Sequence, residues 1–244
     1  MNFPILTLLT FLPLVGAIVI ALSLISKGKS EAEKAFSDRS SRILALIFSF
    51  ATFVVSLILY FNFNKNTSKF QFTEKFEWLE GSKIYYYLGV DGISIYLILL
   101  TTLLIPICIL SSWNSIEKRV KEYMILFLLL ETLVIGVFVS LDFLLFYFFF
   151  EASLIPMFII IGVWGAENRV YASYKFFLYT LLGSLFLLIA IIYLYQDLGT
   201  TNIVTLTRDA GFLIPKDVQN WLWLAFFASF AVKVPMFPFH TWLP

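Results

Sequence analysis

Seven apolar runs follow one another along this chain with no soluble domain between them: Phe3–Ser26, Ile43–Phe63, Gly92–Trp113, Tyr123–Ser140, Phe143–Val163, Tyr174–Tyr195 and Asn220–Phe239. A helix needs about 20 mainly apolar residues to cross a bilayer, whereas a barrel strand needs only about 10. Lipid offers the backbone no hydrogen-bond partner, so runs of this length must bond to themselves as helices. The expected fold is an all-α, polytopic transmembrane helix bundle of about seven spans, forming a single membrane domain over 1–244. Composition agrees: 60% of residues are hydrophobic and 14% charged, where soluble domains carry about 25% charged residues. The first run lacks a basic leader and is longer than a signal core usually is, so it reads as the first span.

Short-loop charge sets the expected orientation. Lys27, Lys29, Lys34, Arg39, Arg42, Lys118, Arg119, Lys121, Arg169 and Lys175 fall in the odd-numbered loops. Only Lys65, Lys69, Lys75, Lys83, Arg208 and Lys216 fall in the even-numbered ones. The N-terminus is therefore expected outside. The first loop, mixed in charge and rich in Ser, reads as a flexible solvated connector. In the second loop Phe70, Phe72, Phe76 and Trp78 share one parity, followed by Gly81-Ser82 and then Ile84 to Tyr87. That period-2 pattern predicts an external hairpin.

Several function classes drop out. A net charge of +1 and the lack of a basic patch leave no footprint for nucleic acid. Cys108 is the only cysteine and His240 the only histidine. They offer neither an intrachain disulfide nor an iron–sulfur or metal site. No Gly-rich nucleotide fingerprint appears. The chain itself is expected to hold no cofactor.

What remains is ionisable chemistry inside the spans. Glu151 stands alone in the fifth run and Lys233 alone in the seventh. A charge at lipid depth costs a few kcal/mol on insertion scales, and such groups face protein or a wet cavity. An acid and a base in separate spans read first as parts of a proton or ion path. Burial disfavours the charged form of each, while a nearby opposite charge favours it. The alternative for Glu151 is a permanently protonated, hydrogen-bonded structural acid; for Lys233 it is an amine snorkelling to the interface. Pro235 and Pro238 follow Lys233 closely and remove backbone donors, so the seventh helix is expected to be discontinuous. Broken helices of this kind mark substrate and ion sites in transporters.

Two further residues join the proton-path candidates. Glu131, midway along the fourth run, either relays protons to Glu151 or bonds a neighbouring helix and only holds the bundle together. His240 has an unperturbed pKa suited to proton handling, or else simply sits at the interface beside Trp242. Pro106 and Pro156 are expected to kink their spans, and Pro156 opens the backbone near Glu151 and Ser153. Gly136 and Gly162 permit close helix approach.

Three stretches carry a family resemblance: Phe146 to Met157, Ser173 to Thr180, and Ala231 to Pro244, with Leu88 to Ser94 in support. Together they resemble the proton-translocating, antiporter-like chain 4 (bacterial subunit M) of respiratory NADH:quinone oxidoreductase, complex I. The resemblance covers roughly Leu88 to Pro244, and the earlier spans fit in topology only. It implies that Glu151 is the fifth-helix glutamate paired with Lys233 on a broken seventh helix. It places His240 in the segment leading to the next helix, toward the central polar axis of the membrane arm. It implies other membrane-arm subunits and lipid as partners, with NADH, flavin, iron–sulfur clusters and quinone belonging to partner subunits. The location implied is a bacterial or mitochondrial inner membrane.

Such subunits have about twice as many spans, in two inverted repeats. The chain is therefore expected to be an N-terminal portion, completed by a separate chain supplying the missing C-terminal spans if the protein is split. Two rival readings stand beside this one: a subunit of a multisubunit cation/proton antiporter, and an assembly or structural piece with no transport of its own.

Overall fold

Backbone groups inside apolar runs have only one another to bond. The computed structural model, which describes residues 4–23, 31–79 and 81–243, folds these runs as helices. The order is α1 (Ile5–Ser23), α2 (Glu31–Phe61), β1 (Gln71–Leu79), β2 (Ile84–Val90), α3 (Ser94–Ser111), α4 (Val120–Val139), α5 (Phe143–Ala152), α6 (Leu154–Trp164), α7 (Arg169–Leu198), α8 (Ile203–Leu213) and α9 (Lys216–Lys233). Among the described residues, six stretches are long and apolar enough to cross a membrane: Ile5–Leu22, Phe36–Phe61, Ser94–Ser111, Val120–Val139, Phe143–Trp164 and Arg169–Leu198. The seventh run is helical as well, but as α9 it carries Lys216, Asp217 and Lys233 at its ends.

Several boundaries differ from expectation. The second helix begins at Glu31, so much of the first connector is helical rather than loose; Lys27 and Lys29 lie outside the described residues. The fifth run is two helices joined at Ser153. Pro106, by contrast, lies within one continuous α3. The seventh helix stops at Lys233 instead of Phe239. Helix α8 was not expected. It starts because the Asn202 side chain accepts hydrogen bonds from the N–H groups of Val204 (3.0 Å) and Thr205 (3.3 Å), an N-cap that satisfies orphan donors. The preceding α7 ends on Gly199 in the left-handed conformation (φ 66°), where glycine has no Cβ to clash. The predicted hairpin is present as a two-stranded sheet of β1 and β2. Its turn includes Gly81 at φ 76°.

The chain divides into two compact units. The first, Met1–Glu74 with Gly89–Val139, contains α1 to α4. Here α1 packs on α2 and α4, and α2 and α3 pack on each other and on α4. Leu6, Leu9, Ile20, Leu59, Ile98, Met124 and Leu128 fill its core with no exposed surface. Buried hydroxyls sit among them. Ser56 on α2 and Thr102 on α3 share a hydrogen bond of 2.8 Å, while Thr10 and Thr52 bond the carbonyls of Leu6 and Phe48 in their own helices. Glu74 closes the start of α1: its carboxylate accepts from the N–H groups of Leu6 (2.7 Å) and Thr7 (3.1 Å). Negative charge at a helix N-terminus also complements its dipole.

The second unit, Lys75–Leu88 with Ser140–Pro244, contains α5 to α9 and the tip of the hairpin. Its hub is Asp142, which is completely buried. One carboxylate oxygen caps α5, accepting from Leu144 (3.0 Å) and Leu145 (3.4 Å). The other accepts from the Thr201 hydroxyl (2.6 Å) and from the N–H of Tyr85 on β2 (3.3 Å). Backbone bonds run beside it, from Leu141 N–H to the Tyr87 carbonyl and from Phe143 N–H to the Thr201 carbonyl, each 2.8 Å. Hairpin, α5 and the α7–α8 connection thus meet on one carboxylate. Asp142→Ala removes the cap and strands buried donors, so a loss of at least about 2 kcal/mol is expected. Thr201→Val removes one bond, for about 1 kcal/mol. Thermal unfolding in detergent, followed by helical circular dichroism, checks that order; an unchanged melting curve for Asp142→Ala removes Asp142 as the hub.

Candidate functional site

The break between α5 and α6 has a covalent cause. Pro156 lacks the N–H that would reach the Ala152 carbonyl, and its ring crowds the same group. Helix α5 accordingly ends at Ala152, with Ser153 as the joint. Glu151 is therefore the penultimate residue of a helix rather than the middle of one. Both its carboxyl oxygens are buried, and neither has a hydrogen-bond partner among the described residues. The polar groups that act on the carboxyl are Ser184 on α7 and Lys233 on α9. Ser184 spends its hydroxyl on the Leu181 carbonyl (2.8 Å). Tyr147, one turn before Glu151, reaches toward the same Ser184.

Lys233 is the last residue of α9. Its ammonium makes no ion pair with Glu151 within 4.0 Å, unlike the surface pairs Arg119–Glu122 and Arg208–Asp209. Nζ donates instead to the Phe150 carbonyl at 3.0 Å and lies 3.8 Å from the centroid of the Phe150 ring. The expected Glu–Lys pair is thus two charges that feel each other without touching. The reason is local. A helix C-terminus presents carbonyls that favour a cation, and the end of α5 offers one beside an aromatic face, one residue before the carboxyl.

After Lys233 the chain turns through Pro235 and Pro238 outside any helix. The N–H of Val234 still donates to the Phe230 carbonyl (2.8 Å), and that of Met236 reaches back to the Ala231 carbonyl (2.9 Å). Trp242 secures the segment: its indole N–H donates to the Val232 carbonyl (2.8 Å), and its ring packs on Phe176 with centroids 5.2 Å apart. His240 is half-buried and stacks on Phe237 at 5.6 Å, with Nδ1 buried and without a partner among the described residues. Glu131 belongs to the first unit. It is fully exposure-free in mid-α4, and neither carboxyl oxygen has a partner among the described residues.

Beside Glu151 opens a cleft of about 550 Å³ whose lining includes Trp78, Leu144, Phe148, Ile155 and Phe177. Glu151 and Tyr147 are among the lining residues, but the wall is almost wholly apolar and both carboxyl oxygens of Glu151 are buried beneath it.

Sequence reasoning missed Phe150, because it stands in a run of Phe where no spacing distinguishes the ring that meets an ammonium. It also missed Gly183. A Cβ there would lie 2.8 Å from Cβ of Val232, the neighbour of Lys233. Helices α7 and α9 pack together, and the missing side chain at Gly183 lets them approach at the level of the lysine.

Two family models match consecutive parts of the chain. "NADH-ubiquinone oxidoreductase chain 4, amino terminus" covers residues 35–141, and "NADH:quinone oxidoreductase/Mrp antiporter, TM" covers residues 140–244. The NADH-quinone oxidoreductase subunit M of Rhodobacter capsulatus is 51% identical over 98% of this chain and 47% of its own length. The NADH-ubiquinone oxidoreductase chain 4 of Arabidopsis thaliana is 53% identical over 84% of this chain and 41% of its own length. The chain belongs to the subunit M/chain 4 family of NADH:quinone oxidoreductase. A chain of respiratory complex I from Thermus thermophilus with bound NADH has the same fold, with a TM-score of 0.78 and 29% identity over 98% of this chain and 46% of that one. The chain spans about half the length of the curated relatives it matches. As a member of the subunit M/chain 4 family it is an integral inner-membrane protein, in keeping with its apolar helices.

The α7–α9 contact yields a ranking within this family member. Gly183→Ala forces Val232 to shift and is expected to cost about 1–3 kcal/mol, the range for overpacking. Gly162→Ala, whose Cβ would meet the Ser173 hydroxyl at a looser 3.2 Å, is expected to cost less. Melting temperatures of the two variants test the order, and a reversed ranking refutes the close-approach role of Gly183.

Proposed function

We propose that this chain serves in the membrane arm of a proton-translocating NADH:quinone oxidoreductase, where it contributes the Glu151–Lys233 element of a redox-coupled proton path. The observation that carries the reading is a buried carboxyl at a helix break with no hydrogen-bond partner among the described residues, and a lysine ammonium beside it but not bound to it. Partners are then the other membrane-arm subunits and the lipid bilayer, with the spans absent here supplied by the rest of the protein or by a separate chain. NADH, flavin, iron–sulfur clusters and quinone belong to partner subunits on this reading.

The proton steps are simple. Glu151 takes a proton from water on one side of the bundle, and the burial of both its oxygens keeps that carboxyl from exchanging freely with bulk solvent. A shift in a neighbouring subunit brings the Lys233 ammonium toward the carboxyl, whose charged form an opposite charge favours. The proton then leaves to water on the other side. When the lysine withdraws, the carboxyl reloads. Each group stands at a helix end, Glu151 before Ser153 and Lys233 before Pro235 and Pro238, and those ends are where the movement would occur. Glu131 and His240 are secondary stations in this proposal, one in mid-α4 and the other beyond the Lys233 helix end.

Glu151→Gln in the intact parent complex preserves shape and removes the ionisable proton. The complex is expected to assemble and oxidise NADH while losing this subunit's share of pumped protons. Measuring protons moved per electron in proteoliposomes decides the matter, and a normal ratio sinks the reading.

A second reading has its own support, since the family description matched by residues 140–244 also covers Mrp antiporters. Sodium-dependent antiport without quinone chemistry would favour it, whereas dependence of proton movement on NADH oxidation favours the first.

A further inference from the structure

We propose that Phe150 is a positioning residue for the Glu151–Lys233 element, holding the ammonium on its ring face and backbone carbonyl so that it waits beside the carboxyl without neutralising it. This inference rests on the proton-translocation reading above and adds a residue and a resting state to it.

Two contacts made by one residue carry the argument. Lys233 Nζ donates to the Phe150 carbonyl at 3.0 Å and sits 3.8 Å from the centroid of the same residue's ring. A cation within about 6 Å of a ring centroid is attracted by the negative face of the π system, most strongly where water is excluded. The ring is buried and fixed in place. It stacks on Phe146 with centroids 5.4 Å apart and meets Phe230 of α9 edge-on at 6.2 Å. Phe226 of α9 in turn contacts Phe143 of α5 at 5.5 Å. Turning the ring away from the lysine would give up its contacts with both Phe146 and Phe230.

The carbonyl is equally specific. It accepts from the Ser153 hydroxyl (2.8 Å) as well as from Lys233, at a helix end that Pro156 keeps short. A lysine ammonium has three N–H donors. The Phe150 carbonyl takes one, and the others remain for water or for the Glu151 carboxyl. Successive residues of a helix point about 100° apart, so Glu151 presents its carboxyl around the helix from the Phe150 ring. Both of its oxygens are unpartnered. Neither a carbonyl nor a ring carries a net charge, so Lys233 can rest there and leave the carboxyl free to gain or lose a proton. Direct ion pairing would instead lock both charges. The resting place thus sets the gap that the transport step closes.

The test uses the complete complex reconstituted in liposomes, with proton movement followed against NADH oxidation by quinone. Phe150→Leu removes the π face while keeping an apolar side chain, and Phe150→Tyr restores it. Phe149→Leu removes a neighbouring buried ring of the same helix that packs on Phe148 and makes no cation–π contact with Lys233, and so controls for packing. Phe150→Leu is expected to lose this subunit's share of protons per electron, while Phe150→Tyr and Phe149→Leu keep it. If Phe150→Leu does not assemble, Phe150→Met takes its place as the ringless variant. Normal pumping by the ringless variant overturns the proposal, as does an equal loss in Phe150→Tyr or Phe149→Leu. Glu151→Gln run alongside separates the failures. If it pumps normally, the underlying Glu–Lys reading falls and this inference with it. If it loses pumping while Phe150→Leu does not, only the role of Phe150 is lost.

Discussion

Everything in this chain follows from the need of each backbone N–H and carbonyl to find a partner where lipid offers none. That constraint makes apolar runs into helices, and it also makes every interruption of a helix a conspicuous event. The two interruptions that matter here have the same cause, a proline that cannot donate: Pro156 after α5 and Pro235 with Pro238 after α9. Each leaves a helix end inside an apolar stretch of sequence, and each helix end carries one of the two ionisable residues. Glu151 and Lys233 are thus placed by backbone chemistry before side-chain chemistry begins. The exposed carbonyls at the end of α5 draw the ammonium, which explains why it settles on Phe150 rather than on the neighbouring carboxylate.

Elements with strong signals were legible in the sequence. The apolar runs announced the spans and the alternation from Phe70 to Trp78 announced the hairpin, while the isolated charges picked out Glu151 and Lys233, which the structure brings near each other. What stayed hidden is instructive. Helix α8 is too short and too mixed to stand out by hydropathy, although Asn202 followed by Ile203 and Val204 is a readable cap. The early start of α2 was masked because charged and serine residues resemble a loop when only hydropathy is weighed. Asp142 stands between the fourth and fifth apolar runs with no pattern to single it out; its role comes from Tyr85 and Thr201, which are distant in sequence. Gly183 matters only because Val232 lies across from it, and no single-chain pattern contains that fact.

Glu131 and Glu151 show how little residue type decides. Both are carboxyls in apolar helices, and both have unpartnered oxygens. Glu131 lies inside an unbroken α4, packed among α1, α2 and α3. Glu151 lies at a break, lines a cleft, and feels both a hydroxyl and a cation. On the proposed reading, a carboxyl that loads and unloads protons needs an opposite charge near it, because that charge favours the ionised form against burial. Glu151 has Lys233 held at the end of its own helix. Glu131 sits in mid-helix with neither oxygen partnered among the described residues, which makes it the weaker station on that reading.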